Sequence, residues 1–352
     1  MQNTDIRIES YEPLVTSKEL QEKIPTTAEV NKRIKESRQI VNNIIQNKDD
    51  RILAIVGPCS IHDPKAAMEY AHMLKKISDK VSDKIYIVMR TYFEKPRTVG
   101  GWKGLIIDPD LDGSYNIEKG LIMARSLLID IIELGLPVGC EVLDPIVPQY
   151  IDELMSWSAI GARTTESQTH RNLSSGLSVA VGFKNSTNGN IENAINAIKS
   201  AALPAAFIGV DRLGNMSVIR TKGNSLGHLI LRGGNTGPNY YDEKVEEARE
   251  ELIKNNLEPS IIVDCSHANS GKKARRQRRV LKNVIEQISY GEKSIRGFML
   301  ESNIKAGCQK IVNDITCLEY GVSVTDECIS IDDTKEMLYS AYEKLNGGII
   351  ND

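Results

Sequence analysis

A (β/α)8 barrel is the fold this sequence predicts, and three observations carry the reading. From Arg51 onward, short runs rich in β-branched residues alternate with longer stretches of helical periodicity, the pattern of a parallel sheet with crossover helices. Eight such runs occur, over residues 52–57, 85–91, 138–143, 159–163, 179–184, 228–232, 261–265 and 295–300. The length of 352 residues could make two average domains, but a barrel routinely holds this many as one.

The first 50 residues stand apart as an N-terminal arm with an oligomerisation or regulatory role. Thr26 and Glu29 form a capping-box pattern ahead of Val30, Ile34, Val41 and Ile45, which together read as an amphipathic helix. Its apolar face must pack on the body of the protein, plugging one barrel end, or on a second copy. The barrel proper spans residues 51–352. Asp63 before Pro64 opens one of its helices, and Gly135 closes another that begins near Asn116. One stretch breaks the rhythm: apolar runs at 205–210 and 216–219, split by Asp211, Arg212, Leu213, Gly214 and Asn215, read as a β-hairpin inserted outside the barrel over about 205–220.

Composition excludes several functions. Against 44 basic residues stand 47 acidic ones, a net charge of -3, so neither nucleic acid nor a membrane surface is an expected partner. No apolar run approaches the roughly 18 residues of a membrane span, and residues 1–10 lack the layout of a secretory signal, so the expected location is the cytoplasm. Cys59, Cys140, Cys265, Cys308, Cys317 and Cys328 have no paired spacing and read as reduced thiols. The dense basic run from Lys272 to Arg279 lacks interleaved aromatics and is expected to be a solvated helix face or an oligomer contact.

In a (β/α)8 barrel the loops after the strands build the active site. Read in order, those ends offer Cys59, then Arg90 with Lys95 and Arg97, Glu141, Arg163, Lys184, Arg232, Asp264 with His267, and Glu301. Five cations, Arg90, Lys95, Arg163, Lys184 and Arg232, would converge on one mouth, where only bound anions relieve their repulsion. Guanidinium forks and ammonium points suit a ligand carrying both phosphate and carboxylate. The turn Lys95, Pro96, Arg97, Thr98 offers a second phosphate clamp, and Gly161, Gly233 and Gly234 would let backbone approach a ligand closely. Cys59, His267, Glu301 and Asp326 supply thiolate, imidazole and carboxylates, a donor set for a divalent transition ion.

With those residues in place the chain resembles, over essentially its whole length, the feedback-regulated type of 3-deoxy-D-arabino-heptulosonate 7-phosphate (DAHP) synthase. The matching segments are Gly-Pro-Cys-Ser-Ile-His-Asp at 57–63, Tyr-Phe-Glu-Lys-Pro-Arg-Thr at 92–98, Gly-Trp-Lys-Gly at 101–104, Ile-Gly-Ala-Arg-Thr-Thr-Glu-Ser-Gln at 160–168, Val-Gly-Phe-Lys-Asn at 181–185, Leu-Arg-Gly-Gly at 231–234 and Ser-His-Ala-Asn-Ser at 266–270. The resemblance implies condensation of phosphoenolpyruvate with erythrose 4-phosphate. It implies Arg90, Lys95, Glu141, Arg163, Lys184 and Arg232 as phosphoenolpyruvate contacts, and Arg97, Thr98 and Asp326 as aldose phosphate contacts. One divalent ion per subunit, manganese, iron, zinc or cobalt, would sit on Cys59, His267, Glu301 and Asp326. Cys59, His267 and Lys95 would be catalytic, Lys95 in proton transfer.

The resemblance further implies a homodimer or homotetramer assembled through the arm, and an aromatic amino acid inhibitor near Pro148, Gln149, Leu173, Leu177, Ser178 and Phe207. Gly209 would widen that pocket and so favour tyrosine or tryptophan over phenylalanine. The chain departs from the family pattern at Gly100, at Ser186 and Asn188, and at Ala306 and Cys308, which puts local loop shape rather than chemistry in question. A synthase acting on arabinose 5-phosphate is the rival enzyme, and the Lys-Pro-Arg-Thr turn argues against it. A catalytically dead effector sensor would be expected to lack some of the strand-end residues, and none is missing.

Overall fold

Alternation along the first strand decides the layering. In β1 (Ile52–Gly57), Ile52, Ala54 and Val56 pack under the helices while Leu53 and Ile55 pack on the barrel axis. Both rows are buried, which is why the strand reads as an unbroken apolar run. In the computed structural model, which describes residues 3–312 and 314–347, seven further strands repeat this logic. They are β2 (Ile85–Arg90), β3 (Val138–Glu141), β4 (Trp157–Ile160), β5 (Ala180–Lys184) and, after a hairpin of β6 (Ala206–Val210) and β7 (Met216–Arg220), β8 (Gly227–Leu231), β9 (Ile261–Asp264) and β10 (Ile295–Asn303). All eight barrel strands are parallel, and β1 pairs with β10 from Leu53 opposite Gly297 to Gly57 opposite Glu301, closing the ring.

The eight expected runs are therefore the eight strands, with shifted ends. The largest shift is in β4, which begins at Trp157 and stops at Ile160, because Gly161 to Arg163 leave the sheet to line a cavity. Trp157 Nε1 donates to His228 Nε2 at 3.0 Å inside the barrel. Burial pulls His228 down to about 4, so the ring is neutral and accepts that bond. The hairpin forms its own two-stranded antiparallel sheet outside the barrel. After β10 a long loop returns through β11 (Ile329–Ser330), which pairs beside Ser302 and Asn303, into the last helix, Ile331–Leu345.

The arm holds two helices, α1 (Ser17–Lys23) and α2 (Ala28–Ile45). Thr27, rather than the expected Thr26, caps α2, accepting from the Val30 amide. Glu29 then falls one position short of a capping box and pairs with Arg33 instead. The complete box belongs to α1, between Thr16 and Glu19. Val41, Ile44 and Ile45 at the end of α2 pack against Leu53, Ile55, Trp157 and Ala180 on the axis. Arg38 ties the helix down by donating to the carbonyls of Asp152, Glu153 and Met155. The helix thus plugs the barrel at the start of the strands. α1 leans on the hairpin, the Lys18 amide donating to Arg212 O at 3.1 Å.

No described helix is long and apolar enough to cross a membrane, and all six cysteines are free thiols. Because Ile44 is fully buried in the plug, Ile44→Ala should cost about 2–5 kcal/mol of unfolding free energy. Urea denaturation would register this as a lower midpoint with an unchanged slope.

Candidate active site

Since every barrel strand runs the same way, the side chains at their ends meet on one rim. Arg90, the last residue of β2, is buried, with its guanidinium 3.5 Å over the Tyr92 ring. It donates to the carbonyls of Pro58 and Cys59 and, at 3.0 Å, to Glu301. Lys95 donates to Cys59 O and Cys59 Sγ, each at 3.1 Å. Burial works against the ammonium of Lys95, but Cys59, Glu301 and Glu141 more than offset it and keep the group charged. Glu301 is held from both sides: Gln277 brackets its peptide, accepting from its amide and donating to its carbonyl. Burial would raise its carboxyl, yet His267, Arg90 and Lys95 outweigh that and hold it below the usual range.

Cys59, Glu301 and Asp326 bring their donor atoms within 4.8 Å of one another, the first two buried and the third exposed. His267, the fourth expected ligand, lines the same cavity as Asp326 but stands outside that group. Its ring is fixed from behind: Nδ1 donates to Asp264 at 2.8 Å, and Ser266 Oγ bridges the two residues. That leaves Nε2 as the donor atom for a metal, with the carboxylate backing that metal-binding histidines use. Burial pushes the Cys59 thiol up and Glu301 adds to it, so a metal would have to displace a proton on binding. Sulfur, imidazole nitrogen and carboxylate oxygen together fit manganese, iron, cobalt or zinc better than calcium or magnesium.

The cationic side surrounds a cavity of about 260 Å³. Arg90, Lys95, Arg97, Arg163, Lys184 and Arg232 all line it, with Glu141, Thr98 and Asp326. Lys184 pairs with Asp264 at 2.9 Å. Burial alone would raise Asp264, but His267 and Lys184 hold it far below the carboxylate range. One buried aspartate therefore serves both halves of the site. Asn185 accepts from the Arg232 amide and donates to Gly233 O, setting the end of β8. Arg163 donates to Thr98 at 3.3 Å, joining the two expected phosphate clamps.

Several side chains carry more than the sequence suggested. Asp264 was visible three residues before His267 without a role, and Gln277 gave no signal at all. Lys272, expected on a solvated helix face or an oligomer contact, lines the cavity instead, with φ at 58° and its backbone N–H donating to His267 O. The rest of the run behaves as expected, Arg278 pairing with Glu336 on the surface. Gly161 lines the cavity, whereas Gly233 does not. A β-carbon on Gly161 would stand 2.3 Å from the Glu141 carboxylate, and one on Gly233 2.8 Å from the Asn269 amide, so both make room for the protein's own chain. A β-carbon at Gly100 would meet nothing within 4 Å, and Ser186 is tied to Glu166 and Asn193.

A separate cavity, also of about 260 Å³, lies between the hairpin and the loop after β3. Pro148, Gln149, Leu173, Leu177, Phe207 and Gly209 line it; Ser178 does not. The space beside Gly209 is taken by Ile219, 2.4 Å from where a β-carbon would stand, so the glycine widens nothing for a ligand.

A barrel mouth so rich in cations beside sulfur and carboxylate donors defines an enzyme of small phosphorylated anions. The family model described as the DAHP synthetase I family matches residues 23–339, and the chain belongs to that family. It is 48% identical over 343 residues to the Tyr-sensitive phospho-2-dehydro-3-deoxyheptonate aldolase of Escherichia coli K12, spanning 97% of this chain and 96% of that one. It is also 48% identical over 337 residues to the Phe-sensitive enzyme of the same organism, spanning 96% of each. A solved phospho-2-dehydro-3-deoxyheptonate aldolase from Francisella tularensis SCHU S4 superposes with a TM-score of 0.94 at 47% identity, covering 96% of this chain and 98% of that one.

Glu94, beside Lys95, gives the site a pH signature. Burial and then Asp144 push its carboxyl up to about 8, while the unfolded chain ionises it near the ordinary glutamate value of 4.5. A raised carboxyl stabilises fully below the unfolded value and progressively less as pH rises towards 8. Relative to Glu94→Gln, the native protein should lose up to about 1.4 kcal/mol of stability per pH unit across that window. Urea midpoints of both proteins at pH 5, 6.5 and 8 would test the slope; parallel curves would refute it.

Proposed function

We infer that the cavity at the strand ends condenses phosphoenolpyruvate with erythrose 4-phosphate and water. The products are 3-deoxy-D-arabino-heptulosonate 7-phosphate and inorganic phosphate, the first step of the shikimate pathway to the aromatic amino acids. Relatives matched over nearly their whole length are named phospho-2-dehydro-3-deoxyheptonate aldolases, which supports the activity. The observation that carries it to these residues is the charge of the cavity: seven cationic side chains line it against Glu141 and Asp326. A trianionic enol phosphate meeting a sugar phosphate needs such a surplus.

Arg90, Lys95, Arg163, Lys184 and Arg232, with Glu141, hold phosphoenolpyruvate; Arg97, Thr98 and Asp326 hold the aldose phosphate. The electron pair of the enol double bond then forms a bond from carbon 3 to the aldehyde carbon, whose oxygen takes up a proton. Water adds at carbon 2 and gives up a proton, and the carbon–oxygen bond to phosphate breaks as the ketone forms. Lys95, charged and inside the cavity, is the side chain that moves a proton. Cys59, His267, Glu301 and Asp326 would hold a divalent ion, which would supply Lewis acidity to the reaction.

The enzyme works in the cytoplasm, where free thiols persist. It assembles as a dimer or tetramer through the arm and hairpin, which expose Ile6, Tyr11, Ile208, Met216 and Val218. An aromatic amino acid inhibits from the cavity beside the hairpin, whose lining is largely apolar.

Chelator-treated protein should release phosphate from the two substrates only when a divalent ion such as manganese is restored, and not when arabinose 5-phosphate replaces the four-carbon sugar. Turnover with neither sugar under any divalent ion would overturn the assignment. Leu173→Trp should fill the effector cavity and raise the inhibitory concentration of phenylalanine, tyrosine or tryptophan at least tenfold, with kcat within twofold of the native value. Inhibition unchanged in that variant would place the effector elsewhere.

A further inference from the structure

A second cavity, of about 310 Å³, adjoins the substrate cavity. His267, Lys272, Thr325 and Asp326 line both, so these four side chains form the partition between them. Glu301 lines the second cavity and not the first. Of the donor cluster, Glu301 is therefore reached from behind, through the second cavity, and Asp326 from both sides, while Cys59 is buried and lines neither cavity.

The two cavities have opposite charge. The substrate cavity sets seven cations against two carboxylates, whereas the second sets the carboxylates of Glu301, Asp326 and Glu327 against Lys272 alone. A low-dielectric cleft lined mainly by one sign of charge concentrates ions of the other sign and repels its own. A divalent cation approaching through the substrate mouth meets a repulsive field; from behind it meets an attractive one. The rim of the second cavity also carries weak ligands on the way in. Cys308 is exposed there, fixed by a bridge to Ser323, and the Glu327 carboxylate accepts from the Ala274 amide at 2.8 Å. Six hydration waters, at roughly 30 Å³ each, come to about 180 Å³, so the space admits a hydrated ion.

We propose that the divalent ion enters and leaves its site through this second cavity, past Glu327 and Cys308, while phosphorylated substrates use only the first. The proposal rests on the metal-centre reading above. It makes metal exchange independent of substrate occupancy, and it gives Cys308, a departure from the family pattern, a place on the path of a thiophilic ion.

The test uses the full-length, chelator-treated protein and cobalt(II) alone, following thiolate-to-cobalt absorbance by stopped flow. Loading should proceed at the same rate, within twofold, with and without saturating phosphoenolpyruvate. Glu327→Lys should slow loading about tenfold, and Cys308→Trp, which narrows the rim by volume rather than charge, should slow loading and chelator-driven release together. The metal-loaded variants should keep kcat within twofold. Either variant alone decides the point if the other fails to fold, as judged by circular dichroism. A tenfold or greater block of loading by phosphoenolpyruvate, or native loading rates in a folded variant, would overturn the proposal. No thiolate band at all on adding cobalt would instead overturn the metal-centre reading, and the proposal with it.

Discussion

Closure of the sheet, β1 onto β10, is the constraint from which the rest follows. A ring of parallel strands has no edge, satisfies its backbone internally, and delivers every strand end to one rim. Arginines, lysines and acids from seven loops then share a space that no single segment could build. The same closure creates an axis that must be filled. Side chains such as Leu53, Ile55 and Trp157 fill most of it, and the end of α2 fills the floor.

Within the rim, Asp264 is the pivot. It is buried, ionised and shared between Lys184 and the Nδ1 of His267. An unpaired carboxylate in that position would be costly, and its two partners are the reason it can stay charged. The anion-binding half and the metal-binding half are thereby held in one hydrogen-bonded unit rather than in two independent pockets. Arg90 makes a similar link on the opposite side, joining the Cys59 loop to Glu301.

Much of this was legible in the sequence because the barrel's strands are buried on both faces and read as β-branched runs. Strand ends could then be scanned for charge, which named Arg90, Lys95, Arg163, Lys184, Arg232 and the donors Cys59, His267, Glu301 and Asp326. What stayed hidden depends on geometry rather than on residue type. α1 offers little apolar periodicity, with only Ser17 and Leu20 buried along it, so no pattern announces it. Lys272 sits in a run of cations whose members differ only in where the turn after His267 aims them. Gln277 acts through a peptide that lies 24 residues away in sequence. The room that Gly209 leaves can be assigned only by knowing where Ile219 lies.

The plug formed by α2 has a consequence for how the chain is made. The helix is synthesised before any strand, yet the axis that shelters Val41, Ile44 and Ile45 includes Ile230, Ile262 and Met299, far along the chain. Contacts of such separation form late, so the apolar face of α2 stays uncovered until the ring is nearly complete. A nascent chain in that condition is prone to aggregate. The arm thus leaves the ribosome ahead of the barrel that shelters it and is among the last segments to find its place, and folding yield should respond to chaperone capacity more than native stability does.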